Sequence, residues 1–172
     1  MWCRPVGRSV IYITRDIVWQ VSTDPSPRAT AGRLADQLCF ALYAATNAVT
    51  RAYRPLLTDL GLTYPQYLVM LVLWERESCR LGEIAEELRL ATHAVSPVVD
   101  RLEDAGLVER VRGQDDGRVV LVRLTAAGAA LEPGAAEVQE DLRCRTELDD
   151  DEVATLRSSL VALTERLLAE TE

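Results

Sequence analysis

Between Leu34 and Leu60 the apolar residues return every third or fourth position, at Leu34, Leu38, Ala41, Leu42, Ala45, Ala48, Ala52 and Leu56. That period is one face of an α-helix and marks the stripe expected to meet the core. A second stripe, Cys39, Tyr43, Thr46, Thr50, Tyr53 and Leu57, also advances in steps of four and three. Its spacing is that of a helix–helix seam. Gly61 follows as a natural left-handed cap. TYPQYLVMLVLWERE reads as a second, largely buried helix, with Thr63 as N-cap and Pro65 near its start. RLGEIAEELRL gives a short third helix, and THAVSPVVDRLEDAGL a fourth that stops at Gly106. The period then changes to two: Val108 and Val111, a polar GQDDG turn, and Val120, Val122 and Leu124 describe a β-hairpin. Two long helices are expected at 125–145 and 149–171, the second opening on an acidic DDDE turn that suits its dipole.

Residues 1–30 follow a different pattern. Ile11, Ile13, Ile17, Trp19 and Val21 alternate like one short strand, and STDPSPRAT then breaks regular structure. They read as a mobile arm, disordered in whole or part, or as an upstream extension from a misplaced start. Residues 31–172 are long enough for a single domain.

Helix, helix, helix, hairpin is the order of a winged helix-turn-helix. The fold class is therefore mainly α with a small β-hairpin wing. In this arrangement a short helix enters the major groove while the hairpin reaches along the backbone. One such unit grips half a site, so the flanking helices 34–60 and 125–171 are expected to pair two copies around a DNA-binding lobe at 63–124.

Composition changes this picture little. An apolar share of 48% with one Phe suits an Ala/Leu/Val-rich, helical globule. The net charge of −8 lies almost wholly in the last third, which itself sums to −8, whereas 79–124 sums to −2. DNA affinity would then rest on locally exposed arginines and be salt-sensitive. No uncharged apolar run reaches the roughly 18 residues that a membrane span needs, and no cleavage site follows the first apolar run, which argues against a signal peptide. Cys3, Cys39, Cys79 and Cys144 lie far apart without CxxC spacing, which argues against a disulfide scaffold or a zinc site. With His93 the sole histidine, no metal and no cofactor is expected. A cytoplasmic setting, where thiols rest reduced, follows.

The blocks QLCFALYAATNAVTRAYRPLL and LGLTYPQYLVMLVLWE, with SPVVDRLEDAGLVER and RVVLVRLTAAG after them, resemble the MarR family. More narrowly the chain is similar to the organic-hydroperoxide-sensing repressors of the OhrR type, from about Leu34 to Leu131. Cys39 and Tyr43 are one turn apart and can touch. Cys39 and Tyr53 are fourteen residues apart, about 21 Å along a straight helix, and cannot meet within it. The resemblance implies an antiparallel crossing in a homodimer, with Tyr53 and Tyr64 of one copy donating phenolic hydrogen bonds to Cys39 of the other. Such donors favour the thiolate, the form that attacks a peroxide. The resemblance also implies that Cys144, flanked by Arg143 and Arg145, is the resolving thiol of the two-cysteine branch. Tyr67 reads as an interface residue, and Cys79, in the loop ESCRLG, and Cys3 match nothing functional.

On the recognition helix Thr92, His93 and Ser96 supply short polar groups for base edges or phosphate, and Arg101 lies further along. Arg110 and Arg112 are placed to meet phosphates. By resemblance Arg118 is the wing arginine that enters the minor groove, and Asp116 its charged support. Asp100, Gly113 and Val119 depart from the family, standing where basic, aspartate and arginine residues are common.

The expectation is a non-enzymatic repressor of double-stranded operator DNA, induced by an organic hydroperoxide through Cys39. One rival is a MarR-type regulator with a reversible small-molecule ligand and a merely buried Cys39. The other is a thiol peroxidase, for which no catalytic His or CxxC is present.

Overall fold

The computed structural model describes residues 8–14, 17–22, 32–112 and 120–169, in two compact units that divide between Ala52 and Tyr53. In the first unit β1 (Arg8–Thr14) pairs antiparallel with β2 (Ile17–Ser22), placing Ile11 opposite Trp19 and Arg8 opposite Ser22. The segment read as a single strand thus holds two, because both apolar runs are long enough to form a ladder with each other. A 3-10 turn at Leu34–Asp36 precedes α1 (Leu38–Thr58).

The stripe read as the core face of α1 is not buried. Leu34 and Leu38 are 64% and 61% exposed, and the one buried residue of the helix is Leu57, from the other stripe. Apolar spacing reports that a face seeks cover without saying what covers it.

The second unit is built around α2 (Tyr64–Arg76). The Thr63 amide and hydroxyl both donate to Gln66 Oε1 at 2.8 Å, which fixes the first turn. Pro65 sits there at no cost, since first-turn amides lack helical partners. Tyr67, Val69, Met70, Val72 and Leu73 are all buried, so α2 is the central helix of this unit. Around it lie α3 (Leu81–Glu87) and α4 (Thr92–Asp104). Ile84 and Ala85 from α3, and Val95, Val99 and Leu102 from α4, close the core with Leu57, Val108 and Val122. Gly106, at φ +71°, turns the chain out of α4.

The hairpin forms as expected from β4 (Val108–Arg112) and β5 (Val120–Leu124), with Arg110 opposite Val122. The wing tip, 113–119, lies outside the described residues. A third strand, β3 (Ser78–Arg80), joins the sheet in the order β3-β5-β4, with Cys79 opposite Val122. The loop assignment for Cys79 is therefore corrected. Three residues are too few to show a period of two, and only the partner strand reveals the pairing.

The helix expected at 125–145 is also corrected, to α5 (Ala126–Ala129) and α6 (Glu132–Thr146). Pro133 lacks the amide needed in a helix interior and instead occupies the first turn of α6. Thr125 Oγ1 accepts from the Gly128 amide at 3.1 Å, and Trp74 Nε1 donates to the Gly128 carbonyl at 3.1 Å, so α5 is anchored to α2. In α7 (Asp150–Ala169) no residue is buried, and Leu156, Leu160 and Val161 line an open groove of about 470 Å³. No helix among the described residues is long and apolar enough to cross a membrane.

Candidate functional site

On α1, Cys39 is exposed, and Tyr43, one turn on, is 68% exposed. Nothing in the first unit buries or cages this thiol among the described residues.

The second unit holds a cluster of three phenols. Tyr53, in the last turns of α1, and Tyr64, the first residue of α2, are half-buried, with ring centroids 5.0 Å apart. Tyr53 also meets Tyr67, at 5.4 Å, and Tyr67 leads edge-on to Trp74 at 6.3 Å. Burial first, and then the neighbouring phenols, push Tyr53 up to about 12. Burial and Tyr67 likewise raise Tyr64. At neutral pH both therefore keep their hydrogens and can donate. The reading of Tyr67 as an interface residue does not describe what is found. It is 1% exposed, within the core of its own unit. Its hydroxyl has no hydrogen-bond partner among the described residues. Burial raises Tyr67, and hydrogen-bonding side chains from Gln139 and then Tyr53 oppose that rise, so both lie close to its hydroxyl without completing a well-formed bond. Its place one turn after Tyr64 on an almost wholly apolar helix was the available signal.

Cys144 is exposed near the end of α6, where its thiol donates to Glu140 Oε1 at 3.8 Å. Arg143, expected to favour a thiolate, pairs with Glu140 at 2.7 Å and with Asp150 at 3.4 Å. Its charge is shared with two carboxylates before it reaches the sulfur. Cys79 is buried on β3, and burial pushes its thiol up, which leaves it inert. Cys3 lies outside the described residues.

The residues expected to meet DNA fall on α4 and β4. Val95, Val99 and Leu102 turn inward, leaving Thr92, His93 and Arg101 exposed and Ser96 half-buried on the opposite side. Arg112, at the end of β4, is exposed. Arg110 differs from the expectation. Its guanidinium pairs with Asp100 at 2.5 Å and with Glu103, and its amide donates to Glu103 Oε1 at 3.0 Å. It braces β4 against α4, and it also neutralises Asp100, the acid that stands where the family favours a base. Arg123 and Glu109 pair across the sheet at 2.6 Å. Asp116 and Arg118, with Gly113 and Val119, fall in the wing tip outside the described residues.

Among the described residues no cluster of His, Cys, Asp and Glu could hold a metal ion.

The model of the MarR family matches residues 62–120. An organic hydroperoxide resistance transcriptional regulator from Bacillus subtilis is 38% identical over 135 residues, covering 78% of this chain and 92% of the relative. Among solved structures, reduced AbfR bound to DNA, a protein of Staphylococcus epidermidis, shares 32% identity at a TM-score of 0.68. It covers 81% of this chain and 96% of that one. The disulfide-formed state of AbfR matches at a TM-score of 0.56 and 32% identity, over 80% of this chain and 91% of the other.

Proposed function

This chain belongs to the MarR family of DNA-binding transcriptional regulators, and from that premise we propose that it is a homodimeric repressor that senses organic hydroperoxides through Cys39. While Cys39 is reduced, two copies hold a palindromic operator with half-sites about one helical turn apart. Thr92, His93, Ser96 and Arg101 of α4 meet the major groove, Arg112 meets phosphate, and Arg118, with Asp116, reaches the minor groove. Tyr43 from the same helix, and Tyr53 and Tyr64 from the second copy, donate to the Cys39 sulfur.

Three features support this reading. The exposed apolar stripe of α1 and the unburied face of α7 are what a dimer would cover. The similarity to a hydroperoxide resistance regulator runs through both the Cys39 helix and the tyrosines. The observation that carries the reading is the Tyr53–Tyr64 pair itself, two half-buried phenols held as donors on a rigid core.

The chemistry then follows in two balanced steps. The Cys39 thiolate attacks the terminal peroxide oxygen, the O–O bond breaks, and the alkoxide leaves with a proton as alcohol, leaving a sulfenic acid. The Cys144 thiol of the second copy attacks that sulfur, an S–S bond forms, and water leaves. The apolar side chains Phe40 and Leu42 beside Cys39 favour an organic over an inorganic peroxide. The disulfide shifts the two α4 helices out of register with their half-sites.

A mobility-shift assay on the DNA upstream of its own gene, reduced against oxidised, with non-reducing electrophoresis alongside, tests this. Release on oxidation with a covalent dimer supports it. Release that persists in Cys39→Ser favours the reversible-ligand reading instead.

A further inference from the structure

The Tyr67 hydroxyl is buried and makes no fully formed hydrogen bond, with Gln139 and Tyr53 as the side chains that bear on it, and such groups are rare because the loss of hydration is not repaid. Its ring contacts Tyr53 directly. Tyr53 is only half-buried. Tyr67 is 1% exposed and wedged between Tyr53 and Trp74. A phenol that donates to an anion becomes a stronger acceptor at its oxygen, and hydrogen bonds in such a chain strengthen one another.

We propose that Tyr67 is a positioning residue of the thiol site, its hydroxyl donating to Tyr53 when Tyr53 donates to the Cys39 sulfur of the second copy. The relay runs from Tyr67 to Tyr53 to sulfur. It rests on the sensing reading above and deepens it. Tyr67 never touches the sulfur. It holds the Tyr53 hydroxyl turned toward the second copy and polarises it. The incomplete Tyr67–Tyr53 bond is thus completed in the reduced, thiolate-bearing dimer. Tyr64, whose ring also packs against Tyr53, supplies a parallel donor and is not part of this chain of bonds.

The test is the pH profile of Cys39 alkylation by iodoacetamide in the full-length reduced protein, resolved residue by residue with mass spectrometry. It is run on wild type, Tyr67→Phe, Tyr53→Phe and the double variant. Tyr67→Phe keeps the ring and removes only the hydroxyl, so the unfolding midpoint should stay level or rise. The Cys39 midpoint is expected to move up by roughly 0.3–0.6 pH unit, with cumene hydroperoxide oxidation about two- to four-fold slower at neutral pH. In the Tyr53→Phe background, Tyr67→Phe is expected to add nothing. A wild-type midpoint below that of an ordinary thiol that Tyr67→Phe leaves unmoved overturns the relay while the sensing reading stands. An effect that persists without the Tyr53 hydroxyl overturns it equally. A wild-type Cys39 that titrates as an ordinary thiol, at about 8.5, overturns the sensing reading and the relay with it.

Discussion

Tyr53 stacks on Tyr64 with ring centroids 5.0 Å apart and planes inclined by 38°, joining the end of α1 to the start of α2. The pair ties the last turns of α1 to the helix at the centre of the core. The same burial makes both phenols weak acids.

Alkaline titration should show this. A phenol that is a weaker acid when folded holds its proton more tightly there. The fold is therefore fully stabilised below the unfolded phenol value of about 10. That stability is lost as pH rises towards about 12, where Tyr53 ionises. Phenolate absorbance is expected to appear in at least two phases across the five tyrosines, with denaturant stability falling over the same window. One phase centred near the ordinary tyrosine value would contradict the packing.

The two thiols are expected to separate in function. Cys39→Ser should bind operator DNA normally and ignore cumene hydroperoxide. Cys144→Ser should still form a sulfenic acid, trapped by dimedone, but give no covalent dimer on non-reducing gels. A covalent dimer in Cys144→Ser would reassign the resolving thiol.

Arg110 and Arg112 lie two positions apart on β4 but should behave differently. Arg112→Ala is expected to weaken binding to all sequences and to reduce the magnitude of the salt slope by about 1. Arg110→Ala releases Asp100 and Glu103. It should cost about 1 kcal/mol in urea unfolding, as exposed ion pairs do, and leave the slope nearly unchanged. A slope change equal to that of Arg112→Ala would mean that Arg110 meets phosphate after all.

Gly128 admits no side chain, since a Cβ there would run into the Leu107 carbonyl backbone. Gly128→Ala is expected to destabilise by about 1–3 kcal/mol through overpacking. The Trp74–Gly128 hydrogen bond should loosen with it, and tryptophan fluorescence should shift. Unchanged unfolding and emission would show that the α5 turn yields freely.

The helical frame of the candidate site was legible along the chain. The four-and-three spacing of Cys39, Tyr43 and Tyr53 is visible in any helical reading, and so are the caps at Thr63, Gly61 and Gly106. Tyr67 was not legible as part of the phenol cluster, because its spacing from Tyr64 is shared by ordinary core residues. Arg110 looked like a free cation, because an ion pair to Asp100 ten residues away leaves no periodic trace.

The order of amino acids by itself determined which segments are helix and hairpin, where the second and fourth helices start and stop, and hence the winged helix-turn-helix. Those choices depend on periodicity, caps and proline, whose effects reach only a turn or two along the backbone. Only the tertiary structure decided that β3 joins the sheet, that α5 and α6 are separate, that Leu57 rather than the Leu38 stripe is buried, and that Tyr67 lies against Tyr53. Each depends on partners brought together from distant parts of the chain, as Trp74 and Gly128 are across 54 positions, and which surfaces meet is settled by packing the whole unit at once.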